Sequence, residues 1–139
     1  MRRNPIVREI SDLLIPAILL FGLYVQFHGD YGPGGGFQAG VIIAVAIILY
    51  ALIHGLERAR SLIPDRVLRV LMALGVLLYA GVGFASLALG AEFLNYSVLG
   101  KNQIAGQHLG IFLIEFGVGT TVAAVLISLF YAFAGRNSE

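Results

Sequence analysis

Apolar residues in this chain fall into four long runs, parted by short polar stretches. The runs cover about residues 5–27, 37–55, 66–89 and 108–133. A bilayer-spanning helix needs roughly 20 mostly apolar residues, and each run is long enough. They are too long for the core helices of a small soluble domain. The pattern therefore predicts an all-α integral membrane protein with four transmembrane helices. Punctuation agrees with it. Asn4 before Pro5 is a helix start, with a side-chain cap followed by proline where no N–H is needed. Pro64-Asp65 is a second start. Pro16 is expected to kink the first helix.

Composition sharpens this picture. Only 12% of the 139 residues are charged, against about 25% in soluble domains. Mean hydropathy is +0.88. The length suits one unit, a single membrane domain over residues 1–139. Cysteine is absent, which excludes disulfides, thiolate metal sites and cysteine nucleophiles within the chain. The net charge of +1 leaves no basic face for nucleic acid. The first run lacks a small-residue cleavage site and reads as a retained span rather than a signal peptide.

Basic residues set an expected orientation. Arg2, Arg3, Arg8, Arg58, Arg60, Arg66, Arg69 and Arg136 fall on one side, and only Lys101 on the other. Both termini and the middle turn are expected in the cytoplasm. The glycine-rich hinge after the first span, and the loop 90–107, then face outward. His54 reads as an anchor at the cytoplasmic end of the second helix. Gly36 and Gly40, and Gly106 and Gly110, have the spacing of close helix packing.

The candidate chemistry is sparse. Glu115 is a carboxylate in an otherwise apolar segment, GIFLIEFGVGTTV. A charged residue at a helix centre costs about 2.5–3.5 kcal/mol on the insertion scale, so such groups face a cavity, a partner or a proton path. Glu115 is expected roughly 6–10 Å in from the outer helix end. Two readings stand: ion or proton handling, and structural pairing with a neighbour. His108 lies two turns earlier on the same stripe, and an imidazole suits proton exchange near neutral pH. Its alternative is an interfacial side chain in water. Thr120 and Thr121 add oxygens along this helix. His28 and Asp30 flank the hinge, with Gln26 and Gln38 at the same level. They line an outward vestibule or belong to a plain surface turn. Enzyme signatures for nucleophilic, metal-hydrolytic or phosphate-loop chemistry are missing, so no catalytic residue is expected.

Three strings carry a family resemblance: HGDYGPGGGFQAG (28–40), FLNYSVLG (93–100) and AGQHLGIFLIEFGVG (105–119). The chain resembles the MnhB/MrpB family of small subunits of multisubunit Mrp-type antiporters. The matching positions are His28, Gly29, Pro33, Gly34, Gly35, Gly36, Phe37 and Gly40, with Glu115 in the last span. Ala39 stands where many relatives have glycine. The resemblance implies a subunit of a large complex related to the membrane arm of respiratory complex I. Such a complex exchanges cytoplasmic Na⁺, K⁺ or Li⁺ for external protons and supports pH and salt homeostasis. Implied partners are two large proton-channel subunits, several small membrane subunits and lipid. No cofactor and no tightly bound metal are implied. The implied location is a bacterial or archaeal cell membrane, crossed several times. Membrane-bound hydrogenases contain an equivalent ion-translocating subunit, which is the competing reading. On the family reading, Pro33, Gly34, Gly35, Gly36, Phe37 and Gly40 form an assembly hinge, with Phe37 anchored in a partner's groove.

Overall fold

The computed structural model describes residues 3–28 and 35–136. Four helices are long and apolar enough to cross a membrane: α1 (Pro5–His28), α2 (Gly36–His54), α4 (Asp65–Ala88) and α5 (Gln103–Gly135). A short helix, α3 (Leu56–Leu62), joins α2 to α4, and a single 3₁₀ turn covers Tyr96–Val98. The described residues contain no strand.

The start of α1 is the one its sequence predicts. The Asn4 side chain accepts hydrogen bonds from the N–H groups of Ile6 (3.0 Å) and Val7 (3.4 Å). Pro16 lies inside α1, which runs without a break. Two features differ from expectation. Residues 56–62, expected as part of a turn, are helical. Leu, Glu, Arg and Ala there are strong helix formers. Gly55, at φ 103°, ends α2 first, and Ile63 is extended before Pro64. The last helix also begins at Gln103 rather than near 108. A search for apolar runs does not register its polar first turn.

The long helices stand in a row, α1–α2–α5–α4, with α2 and α5 in the middle. Glycine permits both central crossings. A Cβ on Gly36 would collide with the carbonyl oxygen of Glu115, and one on Gly40 would lie 2.7 Å from that of Gly119. Between α4 and α5, a Cβ on Gly75 would lie 2.8 Å from the Gly117 carbonyl oxygen and strike the Thr121 hydroxyl. Association in lipid rests on such packing rather than on a hydrophobic drive.

Side-chain contacts close the two ends of the row, polar at one and aromatic at the other. At the arginine-rich end, His54 Nε2 and Asp12 Oδ1 join α2 to α1 by a short hydrogen bond. Arg60 of α3 donates from Nη2 to the Tyr131 carbonyl of α5 (3.2 Å). It lies 5.6 Å from that residue's ring centroid and 3.6 Å from Asp65 of α4. At the other end, the connection between α4 and α5 folds back onto both helices. Phe93 packs over Gly83 and meets Phe84 edge to face, 5.8 Å between centroids. The Tyr96 ring covers Gly110. Burial and the nearby Tyr79 phenol raise the Tyr96 hydroxyl above the usual tyrosine range.

The crossings predict a contrast between two glycines of one helix. Gly75→Ala should destabilise the chain by about 1–3 kcal/mol through overpacking. Gly81→Ala, which meets nothing within 4 Å, should be neutral or slightly stabilising. Thermal unfolding in mild detergent reads the difference. Equal midpoints for the two variants would refute a backbone-close crossing at Gly75.

Candidate functional site

The candidate site forms where α2 begins. Gly35 holds φ at +137°, a backbone region that L side chains rarely adopt, and its carbonyl accepts from the Ala39 N–H (3.0 Å). The N-cap residue, a glycine, has no side chain with which to cap this helix start. The first N–H groups of a helix lack intrahelical partners, and the helix dipole places partial positive charge there. Glu115 of α5 meets that end. Its Oε1 lies 3.4 Å from the position a Gly35 Cβ would take, and Gln38 Oε1 lies 3.3 Å from the same point. The Gly36 backbone rests directly on that of Glu115. A half-buried carboxylate is thus held at the positive end of α2, by a crossing that only glycine permits.

Gln26 of α1 completes this corner. Its side chain is buried, and Oε1 occupies the space that a Cβ on Gly119 would need, beside the Gly36 carbonyl. Its Nε2 is buried without a hydrogen-bond partner. Phe27 stacks on Phe112 at 5.9 Å and joins the end of α1 to α5. The hydroxyls of Thr120 and Thr121 donate to the carbonyls of Phe116 (2.9 Å) and Gly117 (2.8 Å), so both hydrogens serve their own helix.

The structure thus brings Gly35, Gly36, Gln38 and Gly40 of the hinge side together with Glu115 and Gln26. His28 ends α1, half-buried and stacked on Tyr24 at 5.0 Å. His108 is exposed on α5, about 10 Å along the axis from Glu115. Phe37 is exposed at 62%. Asp30, Pro33 and Gly34 lie outside the described residues. Among the described residues, no group of three or more His, Asp and Glu side chains is placed to hold a metal ion.

Sequence reasoning misses the pair at the opposite end. It gives His54 only the role of an orientation anchor, and Asp12 none. The two are joined over 42 positions, with Tyr50 stacked beside the imidazole at 4.7 Å between centroids. An open cavity of about 640 Å³ reaches His54, lined also by Glu57, Arg58 and Arg60. The signal is there to be read: Asp12 is an acid within a membrane span, which by default calls for a partner.

A carboxylate and two amides at a helix start have defined chemical capacities. They supply oxygen ligands for a hard cation, and the carboxylate exchanges a proton. Known proteins share this sequence. Residues 6–128 match the family model described as a domain related to the MnhB subunit of the Na⁺/H⁺ antiporter. A Bacillus subtilis (strain 168) protein named as a Na⁺/H⁺ antiporter subunit is 34% identical over 132 residues, covering 87% of this chain and 92% of that protein. A Staphylococcus aureus (strain Newman) protein named for antiporter subunit mnhB2 is 32% identical over 142 residues, covering 99% of this chain and all of its own length. The matched region contains the hinge, Glu115 and all four spans through residue 128, and the chain belongs to the MnhB family of multi-pass membrane proteins.

Proposed function

We propose that this chain is a membrane subunit of a multisubunit cation/proton antiporter. The complex exchanges cytoplasmic Na⁺, or K⁺ or Li⁺, for external protons and so supports pH and salt homeostasis. The chain carries no covalent chemistry of its own. It works beside large proton-channel subunits and other small membrane subunits in a prokaryotic cell membrane. Relatives that carry the antiporter name favour this reading over a hydrogenase subunit. The arginine-rich end faces the cytoplasm, a placement that the eight-to-one distribution of basic residues supports. The hinge then faces outward.

The contact between Glu115 and the start of α2 carries the residue-level proposal. Glu115 is the acid at that junction, and ion or proton transfer through this subunit runs by way of it. His108, His28 and Asp30 are candidates for the outward approach. The hinge residues Pro33, Gly34, Gly35, Gly36, Phe37 and Gly40 shape the junction and its contact with a neighbouring subunit, where exposed Phe37 is the anchor.

Three experiments test this reading. Affinity purification from native membranes in mild detergent, followed by mass spectrometry, should recover large antiporter-type membrane subunits. Nickel–iron redox proteins in their place would move the chain to the hydrogenase class. Glu115→Gln should assemble normally yet lose Na⁺/H⁺ exchange in everted vesicles by at least about tenfold, a barrier change of roughly 1.4 kcal/mol. Exchange at the wild-type rate would leave the carboxylate a purely structural role. Gly35→Leu forces a β-carbon into a left-handed position and a side chain toward Glu115 and Gln38. The assembled complex should then be absent from native gels. A normal-sized, active complex would sink the hinge account.

A further inference from the structure

One face of the helix row carries a groove of about 320 Å³ that adjoins the candidate site at Gln26 and Gly119. Leu23 of α1 stands on one side and Leu68 of α4 on the other. Its floor on α5 runs from Phe116 to Ile127, about 16 Å, or three helical turns. Gly119 and Ala123 lie on that floor with small-x-x-x-small spacing, which lets another helix backbone come close. Gln26 also lines the groove. It is only 6% exposed, and its Nε2 donor has no partner.

From these two independent features, we propose that the groove seats one transmembrane helix of another subunit. That helix carries a hydrogen-bond acceptor, a side-chain oxygen or an exposed carbonyl, at the level of Gln26. An unsatisfied amide donor in an apolar setting costs free energy, and lipid tails have no acceptor to offer. The donor is covered in the bare chain. An occupant reaches it only when the side-chain amide turns toward the groove. A second copy of this chain fits poorly. A two-fold axis would set groove against groove and fill neither. The inference rests on the reading of the chain as a subunit of a complex. It adds which face docks, what kind of element docks there and which residue recognises it.

Two measurements on the full chain test it. A photo-crosslinking benzoylphenylalanine at position 23, in the complex purified from membranes, should form an adduct with a different membrane subunit. Adducts with lipid alone, or with a second copy, overturn the docking groove while leaving the antiporter reading intact. A chain that emerges with no other subunit overturns both. The second measurement uses Gln26→Leu. It should leave the thermal midpoint of the purified single subunit unchanged or higher, because an unpaired buried donor is removed. Recovery of the complex should fall roughly three- to thirty-fold, the worth of one interhelical hydrogen bond. A lower midpoint with undiminished recovery of the complex would mean that Gln26 serves the chain's own fold, and the proposal would fail.

Discussion

The close crossing of α2 over α5 is the constraint on which the rest of this structure depends. Gly36, Gly40 and Gly119 bring two backbones together where a single β-carbon would collide. In lipid, helices gain little from leaving one apolar surroundings for another, so contact distance decides association. The same approach carries Glu115 to the open start of α2. Widening the crossing by the width of a methyl group would separate the carboxylate from the helix end and release Gln26 from Gly119. Packing and the polar site are therefore one feature.

The crossing also sets what stands at the start of α2. Gly35 offers no side chain, and the carboxylate of Glu115, from another helix, lies beside that helix end. A local Ser or Asp cap would fix the start of α2 regardless of α5. A carboxylate brought beside it by α5 ties the surroundings of the α2 start to the crossing.

Much of this is legible in the residues, for reasons that differ by element. The spans are legible because apolar length is a direct physical requirement of the bilayer, and the Asn4 cap because its chemistry is local. Helix α3 is hidden by its polarity, since a search for apolar runs passes over a polar helix. The polar first turn of α5 is lost in the same way. Glu115 stands out as an acid in an apolar run, but its partner does not. Nothing in the string PGGGF says which helix end meets position 115. That pairing depends on the order of helices in the row, which a single sequence does not encode locally. The Asp12–His54 pair escapes sequence reasoning for the same reason.

The row itself argues that the chain is one part of something larger. With α1 and α4 at its ends, most of the large apolar side chains on those helices stay exposed. Lipid can cover those. It cannot satisfy polar atoms, and the chain keeps such groups at particular places: Asp12 with His54, Arg60 with the end of α5, Glu115 with the start of α2. Each is matched by a group from a different helix. The buried Gln26 donor lacks a partner, as do Arg60 Nε and Tyr131 Oη at the opposite end, and of these three it is the one that lies beside the groove floored by small residues. Its presence makes sense if the acceptor comes from outside the chain.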